Sequence, residues 1–228
     1  MSILITGSCG LIGKYLKNEL SQNYDIIELD YNNIPSIDAT NEQSVKSFFE
    51  SNNNKNIKYI INCIGIPDAV PLSAESILDI DYNYFKKMVD INLNAVFLII
   101  KECYRIHKDS LKDIINISSL YSVVSPRIDL YNGKIKNPAY TASKHGLIGL
   151  TKHIATLFGK DKIGVNCIAP GGVTETINNI NFMEKYNKQV PMETTIPLEE
   201  ILKTINYLFT MNYITGQNII IDGGYSII

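Results

Sequence analysis

The chain has 228 residues, enough for one well-buried α/β domain, and hydrophobic residues make up 45% of it. Its formal net charge of −2 leaves no basic excess to neutralise a phosphate backbone or an anionic membrane surface, which argues against nucleic acid and membranes as partners. Cys9, Cys63, Cys103 and Cys167 are scattered, and neither they nor His107, His145 and His153 fall at zinc-ligand spacing, so the expectation is reduced thiols, no metal and a cytoplasmic location. Met1-Ser2 runs directly into Ile3-Leu4-Ile5, without the basic leader and long apolar segment of a signal peptide or membrane span.

Ser2 to Thr6 is a short apolar run of buried-strand type, and it breaks into Thr6-Gly7-Ser8-Cys9-Gly10-Leu11-Ile12-Gly13 before the helical pattern Leu11, Tyr15, Leu16, Leu20. Glycines at such a turn let the backbone approach a pyrophosphate, which then rests on the positive end of the following helix at Leu11 and Ile12. The same spacing also serves a plain strand-to-helix turn. The next strand, Tyr24 to Leu29, ends at Asp30, where a carboxylate can accept both ribose hydroxyls of an adenine dinucleotide and repel a 2′-phosphate. Cys9 at the helix mouth reads first as a small loop filler.

Tyr31 to Ile37 has room only for a turn before Ile37-Asp38-Ala39-Thr40, so no helix is expected between the second and third strands. Asn41 then caps a helix over Glu42 to Glu50, with Val45, Phe48 and Phe49 on one side. Lys58 to Asn62 is a β-branched strand that delivers Asn62-Cys63-Ile64-Gly65, and Leu72 to His107 carries helix-period apolar positions broad enough for a sheet and a partner subunit. Asn92 lies inside that helical stretch, where a buried polar residue needs a partner.

Ile114 to Ile117 is another strand, ending in Ser118-Ser119, and after an irregular segment the chain resumes as Ala139-Tyr140-Thr141-Ala142-Ser143-Lys144. In a helix Tyr140 and Lys144 are one turn apart on one face, so a phenol and an ammonium can share a cleft. A Tyr-x-x-x-Lys pair alone is common by chance. Ile163 to Ala169 is a strand closed by Pro170-Gly171-Gly172, the polar stretch 173–197 suits a substrate loop or lid, Leu198 to Phe209 is a last helix, and Asn218 to Ile221 a last strand before Asp222-Gly223-Gly224. Strands alternating with helices argue for a parallel sheet covered on both faces, with ligands at the carboxyl ends of the strands.

With these residues in place the chain resembles the short-chain dehydrogenase/reductase family from end to end. The ordered matches are Thr6-Gly7…Gly13, Asp38-Ala39, Asn62-x-x-Gly65, Asn92, Ser118-Ser119, Tyr140-x-x-x-Lys144, Asn166-x-x-x-Pro170-Gly171 and Thr215-Gly216…Asp222-Gly223-Gly224. The resemblance implies a single Rossmann-type domain, a doubly wound parallel sheet of about seven strands, bound NAD, and a catalytic set of Asn92, Ser119, Tyr140 and Lys144. It implies that Asp38 and Ala39 flank the adenine, that Asn62, Cys63, Ile64 and Gly65 lie along the cofactor, that Lys144 binds the nicotinamide ribose, and that Pro170, Gly171 and Val173 approach the nicotinamide. A homodimer or homotetramer is expected, built on the long apolar helices. The glycine spacing and the short link after Asp30 resemble the sugar-nucleotide branch, whereas Asp222-Gly223-Gly224 belongs to the shorter single-domain branch. The long stretch 120–138, with Tyr121, Tyr131 and Arg127, is similar to oxidoreductases encoded with flagellin and surface-sugar modification genes, and is expected to wall a pocket for a polar, sugar-like small molecule. The threonine the family carries soon after Pro170-Gly171 is displaced, with Thr174 and Thr176 flanking Glu175.

Moving a hydride to or from a carbinol carbon requires a proton to move on its oxygen, and Tyr140 is the candidate acid/base. A phenol with a free pKa of about 10 must fall by about three to act near neutrality, a cost of about 4 kcal/mol. One cation about 4 Å away, in an effective dielectric of about 20, supplies about that much, which assigns Lys144 its partner role. Ser119 would hold the substrate oxygen, and Asn92 would anchor a proton path behind the lysine. Two other classes share the fold: a nucleotide-sugar epimerase or dehydratase with bound NAD, which carries a sizeable substrate domain after the last common strands, and a non-catalytic NAD-binding sensor, which loses the Ser, Tyr or Lys.

Overall fold

The computed structural model describes residues 1–67, 74–177 and 179–228. Six parallel strands form one sheet: β1 (Ser2–Thr6), β2 (Asp25–Leu29), β3 (Ile57–Asn62), β4 (Asp113–Ile117), β5 (Gly164–Pro170) and β6 (Asn218–Ile221), in spatial order β2-β1-β3-β4-β5-β6. Among the described residues seven α-helices accompany them: α1 (Leu11–Leu20), α2 (Glu42–Ser51), α3 (Tyr82–Val89), α4 (Ala95–His107), α5 (Pro138–Phe158), α6 (Ile180–Asn187) and α7 (Leu198–Thr210).

The sheet is buried on both faces because its strands are apolar at successive positions, and the two-residue period of a strand sorts them. Ile3, Ile5, Ile61 and Ile115 face α1 and α7, packing with Leu16, Leu20, Ile201 and Ile205. Leu4, Ile60, Ile114 and Val165 face the other way, with Val45, Phe49, Ile99, Ile100 and Phe158. The chain leaves β1 for β2 on one side and returns to β3 on the other. Helices leaving β1 and β3 therefore diverge, which opens a crevice at the carboxyl ends of those strands.

The α/β doubly wound class matches the expectation, with six strands among the described residues against about seven. Ile37–Thr40 forms no strand, because the Asp38 carboxylate accepts the Thr40 N–H at 2.9 Å and its hydroxyl at 2.7 Å, which curls the backbone into the Asn41 cap of α2. The helix expected from Leu72 begins at Tyr82; its first two residues lie outside the described ones, Ser76 and Asp79 form a reciprocal cap on a single 3₁₀ turn, and Asp81 caps α3. The expected loop 173–197 contains a short helix, α6, capped by Asn179. Among the described residues no helix is long and apolar enough to cross a membrane.

Candidate active site

The crevice begins with Gly7 at φ +66°, where a side chain would be strained and its Cβ would meet the Cys63 carbonyl carbon at 2.8 Å. A Cβ on Gly13 would lie 2.2 Å from the Gly7 oxygen, so α1 presses directly on the turn. Gly10 is the N-cap of α1 and offers no side-chain acceptor, which leaves the amides of the first turn to an external one. A helix N-terminus without a side-chain cap, lined by Gly7, Gly10, Leu11, Ile12 and Gly13, fits a pyrophosphate.

Asp30 follows β2 and is buried; its carboxylate accepts the Cys9 N–H at 2.9 Å and the Asn32 N–H at 2.8 Å, one on each oxygen. Lone pairs remain on both oxygens for a ribose diol. Asp30, Asp38, Ala39, Cys63, Ile64 and Gly65 line an 820 Å³ cleft with Lys86, Lys87 and Asp90 opposite. Burial pushes the Cys63 thiol up to about 12, so it stays protonated and unreactive.

The second half of the crevice, about 400 Å³, is lined by Gly65, Ser119, Tyr140, Lys144, Pro170, Gly171 and Val173. α5 carries Tyr140 and Lys144 on one face; Asn137 starts it by accepting the Ala139 N–H at 3.0 Å, with Pro138 in the first turn. The Lys144 ammonium is buried, sits 5.8 Å from the Tyr140 ring centroid and donates to the Ile117 carbonyl at 3.0 Å. Loss of water lowers its pKa to about 8. Ser119 lies two residues beyond β4 and accepts the Tyr121 N–H at 3.2 Å, so its own proton points elsewhere.

Two expected residues line neither cleft. Asn62 is buried in a chain of side-chain bonds: it accepts from Thr6 at 3.1 Å and donates to Asn116 at 2.8 Å, which donates to Thr151 at 2.9 Å. It ties β1, β3 and β4 together at their carboxyl ends. Asn92 lies on a π-helical turn, Asp90–Asn94, between α3 and α4. Its side chain closes both backbone groups of Ile66, at 2.8 Å and 3.1 Å, and reaches Ser143 at 3.4 Å. A Cβ on Gly65 would sit 3.3 Å from the Asn92 oxygen and 3.6 Å from the Lys144 ammonium, so Asn92 shapes the floor beneath the lysine.

A further cleft of 510 Å³ continues from Ser119 and Tyr140, bounded by Tyr121, Tyr131, Lys136, Thr176, Phe182 and Tyr186. Arg127, expected on the pocket wall, is instead exposed and paired with Asp129 at 3.4 Å, and does not line it. Lys136 does, with its ammonium 4.4 Å from the Tyr131 ring centroid. Of the two threonines, Thr176 lines both this cleft and the previous one, while Thr174 bonds Thr195 at 2.7 Å. Tyr186 was hidden in a stretch read as loop; it accepts the Gly172 N–H at 2.7 Å and stacks on Tyr225. Lys136 had a signal, since it precedes the cap of the helix that carries Tyr140.

Residues 11–226 match the family model described as enoyl-(acyl carrier protein) reductase. The chain is 31% identical over 185 residues to 2-dehydro-3-deoxy-D-gluconate 5-dehydrogenase of Bacillus subtilis, covering 79% of this chain and 68% of that protein. It is 35% identical over 109 residues to zerumbone synthase of Zingiber zerumbet, covering 45% of this chain and only 37% of that protein's length. A short chain dehydrogenase from Leptospira borgpetersenii, solved with bound NAD+, superposes with a TM-score of 0.87 at 30% identity, covering 99% of this chain and 92% of that one. The match over nearly the whole length, on a fold that brings a serine after β4 together with the tyrosine and lysine of α5 in one cleft, means that this chain belongs to the short-chain dehydrogenase/reductase family of NAD(P)-dependent oxidoreductases.

Proposed function

We propose that this protein interconverts a secondary alcohol and a ketone on a sugar or sugar-derived substrate, with NAD(H) as redox partner and Tyr140 as the acid/base. The observation that carries it is the convergence of Ser119, Tyr140 and Lys144 on one cleft that is continuous with the glycine turn at Gly7 and Gly13. NAD, when bound, supplies the hydride acceptor. The residues handle the proton: Ser119 donates to the substrate oxygen, Tyr140 takes or returns its proton, and Lys144 favours the phenolate electrostatically. The ammonium is held for this by the Ile117 carbonyl and, with a pKa near 8, remains mostly charged at neutral pH.

Asp30 supports NAD over NADP, because a 2′-phosphate would meet a buried carboxylate already fixed by two amides. The sugar reading rests on the tyrosine-rich 510 Å³ cleft beyond Tyr140, whose Tyr121, Tyr131 and Tyr186 rings offer flat faces, and on the Bacillus subtilis relative, a 2-dehydro-3-deoxy-D-gluconate 5-dehydrogenase. Free cysteines at all four positions suit a reducing, cytoplasmic setting. The test is NADH formation from NAD+ with a panel of sugars, sugar acids and sugar alcohols, with Tyr140→Phe as control. Turnover that survives Tyr140→Phe within a fewfold would sink the assignment.

A further inference from the structure

Tyr186 stands where the crevice and the further cleft meet, and the proton chemistry derived for Ser119, Tyr140 and Lys144 does not use it. It is buried on α6, with its ring stacked on Tyr225 at 5.3 Å and on Phe182, one helical turn away, at 6.2 Å. Burial pushes its phenol up to about 12, so it stays protonated at neutral pH and does not act as a second acid/base beside Tyr140. Its oxygen accepts the Gly172 N–H at 2.7 Å.

That hydrogen bond fixes a peptide plane which its own sequence leaves loose. The plane lies between Gly171 and Gly172, and a peptide between two glycines can turn over with little movement of the chain on either side, because glycine tolerates φ of either sign. The adjacent peptides are held separately: the Gly171 N–H donates to the Ile221 carbonyl at 2.9 Å, and the Gly172 carbonyl accepts the Ile196 N–H at 2.8 Å. Tyr186 selects the orientation of the peptide between them. In a trans peptide the N–H and C=O point opposite ways, so the Gly171 carbonyl is turned away from Tyr186. The fit is close, since a Cβ on Gly171 would lie 2.9 Å from the Tyr186 oxygen and one on Gly172 2.9 Å from its Cζ.

Both glycines line the crevice together with Tyr140, Lys144, Pro170 and Val173, and both also line the further cleft together with Tyr186. With Asp30 at the adenine-side ribose and the Gly7 to Gly13 turn at the pyrophosphate, the remaining half of the crevice takes the nicotinamide end of a dinucleotide against this turn. We infer that Tyr186 is a positioning residue for that end of the cofactor: from the substrate side, it holds the Gly171-Gly172 peptide in the one orientation that forms the surface on which the nicotinamide rests. The inference rests on the reading of the crevice as a dinucleotide site. It makes α6, through one phenol, a support for cofactor geometry as well as a wall of the further cleft.

The experiment is equilibrium binding to the full chain of NADH and of ADP-ribose, which keeps the adenosine and the pyrophosphate and lacks the nicotinamide; NADPH and 2′-phospho-ADP-ribose form a second pair. Tyr186→Phe keeps the ring and its stacking and removes the acceptor alone. It should weaken the tighter-binding dinucleotide about tenfold and leave the matching truncated compound within about twofold of wild type. A loss shared by the truncated compound would make Tyr186 a support of the fold only, and no loss in the dinucleotide would make its hydrogen bond idle; either overturns the inference. Tyr225→Leu removes the stacked ring that steadies Tyr186 and should show the same split at about threefold, and it decides the matter by that split if Tyr186→Phe does not fold. Wild type that binds neither dinucleotide would overturn the dinucleotide reading and the inference with it, whereas dinucleotide binding that both variants leave unchanged sinks the inference alone.

Discussion

The Lys144 ammonium donates a 3.0 Å hydrogen bond to the carbonyl of Ile117, the last residue of β4. One strand end thus fixes the lysine, and two residues later supplies Ser119. The position of the cation is set by the sheet, and its burial carries a cost that depends on pH.

Lys144 has a pKa of about 8 in the folded chain against an ordinary 10.5, so the fold disfavours its charged form. Below about pH 8 both folded and unfolded chains hold the proton and the full burial cost is present. Between about 8 and 10.5 the unfolded chain keeps the proton that the folded chain sheds, so stability rises with pH through this window. Relative to Lys144→Met, the wild type should gain up to about 3 kcal/mol from near pH 7 to near pH 10. Urea unfolding of both proteins at the two pH values measures the gap, and a constant gap would contradict the burial argument.

Tyr140→Phe removes one oxygen and keeps the aromatic ring and the Asn137 cap that starts α5. It should fold, bind NAD and turn over about a hundredfold slower or worse. Steady-state kinetics together with a cofactor titration separate loss of chemistry from loss of binding.

The glycine turn should tolerate change unevenly. Gly13→Ala places a methyl 2.2 Å from the Gly7 carbonyl oxygen, a backbone atom that cannot swing aside, and should cost about 3 kcal/mol or more. Gly10→Ala meets the same oxygen at 3.3 Å and should cost about 1 kcal/mol. Equal unfolding midpoints for the two variants would show that α1 does not press on the turn as described.

Asp30 predicts that NAD binds at least about tenfold more tightly than NADP, since charge repulsion in a buried site is only weakly screened. Lys86 and Lys87 across the same cleft work against this. Equal dissociation constants for the two cofactors would mean that the lysines offset the carboxylate.

Phe97 on α4 is 44% exposed and Leu157 on α5 is 51% exposed, on helices that otherwise pack the core. We expect a homodimer or homotetramer that covers them, and conversion to monomer by Phe97→Glu with Leu157→Glu. Light scattering at micromolar concentration decides between a covered and a bare face.

Local rules determined much of this protein without help from tertiary structure. The unbroken apolar runs Ile3-Leu4-Ile5 and Ile60-Ile61 define strands buried on both faces, the glycines mark the first turn, and the spacing of Tyr140 and Lys144 places both on one helical face, because each property depends on residues a few positions apart. Tertiary structure decided what depends on distant partners. Asn62 turned out to be spent on Thr6 and Asn116, Arg127 on Asp129, and the stretch read as a loop folded into α6 with Tyr186 accepting from Gly172. Whether a polar side chain faces a cleft or its own sheet is set by which neighbour offers the nearest hydrogen bond once the strands align, and no local pattern encodes that choice.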